Sequence, residues 1–165
     1  MNGTFAGRAV VIDRDNVDTD VLYPGAFLNI LDPELMKDHL FEGLDPSLRD
    51  QLGGDVVLVV GENFGMGSSR EHPPQAMKAA GIRCVLGKSF ARIFERNCVN
   101  LGLLVVAAPE AAAAATPGAQ ISVDPRAGTV DVDGTLYEVP KIPAFMLEMI
   151  ESGGMVDWAR RLLSA

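Results

Sequence analysis

The sequence predicts an α/β domain with a mixed sheet, on two observations. The middle of the chain alternates strand, loop, helix and strand, the βαβ pattern of a parallel sheet covered by helices. Its last third holds short strands joined by turn signals, the pattern of antiparallel hairpins. At 165 residues a chain buries roughly 70% of the surface its unfolded form exposes, so we expect one domain over 1–165.

The elements follow in order. Arg8 to Ile12 reads as a short strand, and the polar run from Asp13 to Asp20 ends it in a long loop. Asp32 as N-cap and Pro33 at the first helical position predict a helix through Leu35, Met36 and Leu40 to about Gly43. Asp55 to Val60 is a continuous apolar run of strand length, the signature of a buried strand. A helix over about Pro73 to Ala80 and a strand over Ile82 to Leu86 complete the βαβ unit. Ser89 is placed to cap a second helix, in which Phe90, Ile93, Phe94, Cys98 and Leu101 recur at helical spacing until Gly102. Leu103 to Val106 supplies a further strand, and the alanine run 111–115, set between Pro109 and Pro117-Gly118, reads as a short helix. Residues 120–123, 129–132 and 135–139 read as antiparallel strands, followed by helices over 142–151 and 155–163.

Composition excludes several classes of function. Hydrophobic residues make up 48% and charged residues 22%, with no apolar run of membrane-spanning length. Disorder and a spanning helix are therefore not expected. Four aspartates between positions 13 and 20 arrive too early for an apolar export signal, so we expect a cytoplasmic location. A net charge of −8 opposes attraction to phosphate backbones, and nucleic acid is not an expected ligand. Cys84 and Cys98 sit in apolar or helical contexts and read as reduced and structural. With His39 and His72 they do not make the ligand set of an iron–sulfur cluster or closed zinc site, so any such metal has to come from a partner.

Gly61 to His72 carries the most chemistry. Glycines at 61, 65 and 67, between a buried strand and a helix, let backbone approach a ligand closely. A dinucleotide fingerprint fails because Arg70 stands where the third glycine belongs, and neither a Walker loop nor a nucleophile elbow is present. What remains is two hydroxyls and a guanidinium, Ser68, Ser69 and Arg70, near a helix N-terminus. That set suits a carboxylate gripped by Arg70 beside a hydroxyl able to exchange a proton. Ser68-x-x-Glu71 also fits a capping box, although Pro73 and Pro74 would then fall past the first turn.

The other candidates are weaker. Asp13, Asp15, Asp18 and Asp20 imitate a calcium loop, but Asp18 occupies its glycine position and Pro24 its glutamate position. Taken alone, Asp18 and Asp20 suit Asx turns, Arg92 and Arg96 a solvated helix face, and Trp158 the core. His39 and His72 read mainly as structural.

Three segments together carry a resemblance: Asp15-Asn16-Val17-Asp18-Thr19-Asp20, Gly61-Glu62-Asn63-Phe64-Gly65-Met66-Gly67-Ser68-Ser69-Arg70-Glu71-His72, and Lys88-Ser89-Phe90-Ala91-Arg92-Ile93-Phe94-Glu95-Arg96-Asn97. In order and spacing the chain resembles the small subunit of isopropylmalate isomerase and the swivel domain of the aconitase superfamily. The resemblance implies a swivelling β/β/α domain and the reversible dehydration of a hydroxy di- or tricarboxylate in leucine biosynthesis. It also implies a [4Fe-4S] cluster carried as Lewis acid by a separate large subunit, in a heterodimer or heterotetramer, with no metal on this chain. By motif, Ser68 becomes the base that takes a proton from the carbon beside a carboxylate, Arg70 the carboxylate ligand and Ser69 a neighbouring contact. Asp18, Thr19, Asp20, Gly65, Gly67 and Glu71 form the supporting loop.

Two departures from the family pattern bear on substrate. Met66 stands where relatives carry cysteine or another small residue. Homoaconitase-like relatives read Tyr-Leu-Arg-Thr after the Asp-Thr-Asp motif, with an arginine for a third carboxylate, whereas this chain has Phe27-Leu28-Asn29-Ile30. An unpaired buried carboxylate costs several kcal/mol, so an alkyl-bearing substrate met by Phe27, Asn29 and Ile30 is expected. 2-Isopropylmalate and 3-isopropylmalate lead, with dimethylmalate, citramalate or homoaconitate as alternatives. A non-catalytic carboxylate-binding or assembly module is the alternative of another class.

Overall fold

A computed structural model describes residues 3–165. Seven strands form one mixed sheet in the order β4-β3-β2-β1-β5-β6-β7. The strands are β1 (Phe5–Ile12), β2 (Val56–Val60), β3 (Ile82–Gly87), β4 (Leu104–Ala107), β5 (Gln120–Asp124), β6 (Thr129–Val132) and β7 (Thr135–Glu138). β1 pairs parallel to β2, β2 to β3 and β3 to β4, whereas β1 pairs antiparallel to β5 and the last three strands form a meander. β1 thus joins the expected parallel and antiparallel halves.

All five residues of β2 are buried because both faces of the sheet are covered. Val56, Leu58 and Val60 point into a core with Tyr23, Phe41, Phe64, Met77 and Phe94. Val57 and Val59 point the other way, against Ala111, Ala112, Val123 and Ile150. The alanine run forms α5 (Pro109–Ala114), and its small side chains bring that helix close to the second face. The β6–β7 turn places Asp133 at φ 48° and Gly134 at φ 91°, the left-handed pair that a two-residue hairpin demands.

Helices α1 (Thr19–Leu22), α2 (Pro33–Met36), α3 (His72–Ala79) and α4 (Arg92–Asn100) precede α5, and α6 (Ala144–Glu151) and α7 (Met155–Ser164) end the chain. Four expectations need correction. The helix begun at Asp32 stops at Met36 and passes through a 3-10 turn over Lys37–His39. Beyond it the backbone pairs with α1 instead of continuing: Phe41 N–H donates to Leu22 O at 2.7 Å and Gly43 N–H to Val21 O at 3.0 Å. Ser89 does not cap α4, since its Oγ accepts from Asn63 N–H at 2.7 Å and tertiary pairing wins over the cap. Ile93 is exposed rather than packed, and Trp158 is half-buried because no residue of α7 is buried. No helix among the described residues is long and apolar enough to cross a membrane.

Candidate active site

Parallel strands bring their C-terminal ends to one edge, and the loops after β1, β2 and β3 meet there, the usual ligand crevice of such sheets. The glycine-rich loop after β2 lies along the Asp-Thr-Asp segment like a short extra strand. Gly65 N–H donates to Val17 O at 2.8 Å and Thr19 N–H to Met66 O at 2.8 Å. Asp15 Oδ1 fixes the start of the loop by accepting from Glu62 N–H at 2.8 Å. Two glycines are required by this closeness. A Cβ on Gly65 would overlap the Phe94 ring, and one on Gly67, whose φ is +104°, would lie 2.9 Å from the Asp18 carboxylate.

Ser68 stands outside any helix. α3 begins at His72 with Glu71 as an N-cap that makes no side-chain cap bond, so the capping-box alternative is overturned. The Ser68 hydroxyl instead meets the first segment. It lies 3.2 Å from Thr19 Oγ1, accepts from Arg70 Nε–H at 2.7 Å, and its own backbone N–H donates to Thr19 Oγ1 at 3.3 Å. Arg70 Nη1 donates to Asp20 Oδ1 at 3.0 Å and to the Tyr23 carbonyl at 3.1 Å, which uses Nε and Nη1 within the protein and leaves Nη2 for a carboxylate. Asp20 is itself fixed, its N–H donating to Asp18 Oδ1 at 2.7 Å and its Oδ1 accepting from Gly25 N–H at 3.1 Å. Ser68 and Ser69 are exposed at the mouth, while Thr19 behind them is 1% exposed.

The structure therefore brings Asp18, Thr19, Asp20, Gly65, Gly67, Ser68 and Arg70 together. Glu71 is the N-cap residue of the following helix and makes no side-chain cap hydrogen bond. Within the 27–30 loop the residues divide. Phe27 is half-buried, its ring stacked on His39 at 3.8 Å, and Ile30 packs against the core. Asn29 is exposed and Leu31 is 81% exposed. His72 is a clasp on this loop, with Nε2 3.0 Å from the Leu28 carbonyl and its ring stacked on Tyr23.

Two supporting residues escaped sequence reasoning. Tyr23 supplies a carbonyl to Arg70, and its phenol, which burial pushes up and keeps protonated, donates to Phe27 O at 2.8 Å. Asn97 on α4 donates to the Ser69 carbonyl at 2.9 Å, a side-chain bond that adds to the Asn63–Ser89 bond in tying the third matching segment to the serine loop. No periodicity marks either residue; Asn97 is singled out only as the last residue of the third matching segment, and Tyr23 only by its place three residues after the first.

The cysteines do not fit an iron–sulfur cluster. Cys84 and Cys98 are fully buried in apolar clusters, and desolvation pushes both thiols up, away from the thiolate such a metal binds.

Comparison with known proteins agrees with this geometry. Residues 48–111 match the aconitase C-terminal domain family. A 3-isopropylmalate dehydratase small subunit from Caldanaerobacter subterraneus is 44% identical over 88% of this chain and 92% of that protein. The chain belongs to the 3-isopropylmalate dehydratase small-subunit family. It is accordingly a hydro-lyase subunit of the aconitase superfamily. A small subunit 1 of the same name from Methanopyrus kandleri is 45% identical over 98% of this chain and 95% of that protein. A 2,3-dimethylmalate dehydratase small subunit from Eubacterium barkeri is 42% identical over 87% of this chain and 90% of that one. The crystal structure of 3-isopropylmalate dehydratase from Methanocaldococcus jannaschii superposes with a TM-score of 0.87 at 33% identity, covering 98% and 97% of the two chains. The swivel-type mixed sheet of that family is the fold described above.

Proposed function

We propose that this chain, acting as a single domain, supplies the proton-transfer and carboxylate-binding side of a cytoplasmic hydro-lyase. The enzyme would interconvert 2-isopropylmalate and 3-isopropylmalate with a separate large subunit that bears the [4Fe-4S] cluster. The observation that carries the reading is the Ser68 hydroxyl, open to the mouth and held by Arg70 Nε–H at 2.7 Å. Ser68, its own proton first lost to solvent, takes the proton from the carbon beside a carboxylate, the C–H electron pair forms the alkene, and the hydroxyl on the neighbouring carbon departs with its bonding pair as hydroxide, which a proton from solvent converts to water. Rehydration reverses these events with the hydroxyl delivered to the other carbon. Arg70 and the turn amides stabilise the negative charge that Ser68 and the substrate carboxylate share during transfer. Ser69, next to Ser68 and also exposed, is the neighbouring contact to the same carboxylate.

The substrate assignment rests on the loop after α1. Exposed Asn29, with the apolar edges of Ile30 and Phe27, offers no cation to a third carboxylate. The Eubacterium barkeri relative favours a second reading, in which the substrate is 2,3-dimethylmalate. Both are alkylmalates and meet the same loop.

Specificity constants of the chain reconstituted with its large subunit, on isopropylmalate, dimethylmalate, citramalate and homocitrate, decide between them. Isopropylmalate is expected to lead. Asn29→Arg should shift the ratio toward the tricarboxylate by about tenfold, the effect of one added charge-paired hydrogen bond. Best turnover of homocitrate by the unchanged chain would sink the assignment. A ratio moved less than about twofold, or roughly 0.4 kcal/mol, would remove this loop from the substrate.

A further inference from the structure

We propose that Thr19 is the positioning residue of the base: its hydroxyl donates to Ser68 Oγ and shares with Arg70 the task of holding that oxygen once its proton has gone. The inference rests on the reading of Ser68 as proton acceptor. Thr19 is a polar side chain only 1% exposed, and a buried hydroxyl finds partners. Both of its partners belong to Ser68, the hydroxyl at 3.2 Å and the backbone N–H at 3.3 Å.

The direction of the first bond follows from counting hydrogens. Thr19 Oγ1 accepts from Ser68 N–H, and its own hydrogen, buried with the side chain, has Ser68 Oγ as the acceptor within reach. Ser68 Oγ already accepts from Arg70 Nε–H, and a second donor fills its remaining acceptor position. The proton of Ser68 is then directed away from both donors, toward the mouth. An alkoxide has no hydrogen to offer, so after proton loss Thr19 is the donor by necessity. Its backbone is held in place beside Ser68, its N–H donating to Met66 O at 2.8 Å and its carbonyl accepting from Tyr23 N–H at 2.9 Å.

A thiol at position 68 reads this directly and without a partner subunit. In the full chain carrying Ser68→Cys, the rate of alkylation by iodoacetamide against pH reports the ionisation of the introduced thiol. Cys84 and Cys98 stay silent because burial pushes their thiols up. Adding Thr19→Val should raise the midpoint by about one unit or more, the worth of a lost hydrogen bond to a charged group. Adding Thr19→Ser, which keeps the donor, should leave it within a few tenths of a unit. A midpoint unmoved by Thr19→Val overturns the proposal, and Thr19→Ala reads the same quantity if the valine variant does not fold. In the reconstituted enzyme, Thr19→Val should lower kcat at least about tenfold with KM held within about twofold, and Thr19→Ser should restore it; a change in KM alone also overturns it. The underlying reading fails separately: turnover retained by Ser68→Ala removes Ser68 as the base, whereas an inactive Ser68→Ala with an unmoved thiol midpoint removes only Thr19.

Discussion

Gly67 shows how finely the site depends on single residues. Its φ of +104° lies where side chains are rare, and its missing Cβ is the space the Asp18 carboxylate occupies. Gly67→Ala is expected to cost about 1–2 kcal/mol in backbone strain, a fall of about 3–6 °C in melting temperature. It should reduce turnover further than that loss of stability explains, because Asp18, Thr19 and Ser68 move together. Thermal unfolding and turnover on the same variant check both parts; a full-activity alanine variant would show that the close approach is dispensable. The identity of this loop was legible in Gly-Ser-Ser-Arg-Glu. What sequence left open was whether Ser68 capped a helix, because a capping box and an anion-binding turn place hydroxyl and carboxylate at the same spacing. Only the start of α3 at His72 separates them.

Among the elements, the parallel strands and the late hairpins were readable because their periods and turns are local signals. β2 and the Asp133-Gly134 turn stand where local chemistry puts them. The failures share a cause. The helix begun at Asp32 and the cap at Ser89 both obeyed local rules and were overridden by long-range hydrogen bonds, from Phe41 N–H to the Leu22 carbonyl and from Asn63 N–H to the Ser89 hydroxyl respectively. One long-range pair ties the antiparallel end to the helices: Arg126, after β5, donates to both carboxylate oxygens of Glu151 at the end of α6, at 2.7 and 3.1 Å. The Arg126 hydrogen bond holds the Glu151 carboxyl below its ordinary value. A group lowered by folding lends its stability in full above its unfolded value, about 4.3 for glutamate, and loses it as pH falls toward the folded value. Melting temperature should therefore fall on acidification from about pH 6 to pH 3, and Glu151→Gln should lessen the fall by about 1–3 °C, a modest share because Arg126 is half-exposed. Equal acid sensitivity in both proteins would mean that the pair adds nothing to stability.

For the whole molecule, the parallel half of the sheet explains why the site is where it is. Loops after β1 and β2, separated by 49 positions at Thr19 and Ser68, meet because their strands lie side by side and point the same way. That meeting was legible only through the resemblance, since nothing in either segment alone names the other. The loop proposed to meet the substrate was less legible still. Phe27 offers an apolar ring in the sequence, yet the fold turns it onto His39 and leaves Asn29 exposed beside it. The exposed mouth at Ser68 and Ser69 is the face at which the proposed function has the chain meet its large subunit. The most direct measurement is the turnover of 3-isopropylmalate by Ser68→Ala reconstituted with its large subunit, with assembly and melting temperature recorded on the same sample. A loss of at least about a thousandfold with assembly and stability unchanged is expected of a removed proton acceptor. Turnover within about tenfold of the unchanged chain, in an assembled and folded complex, would contradict Ser68 as the base.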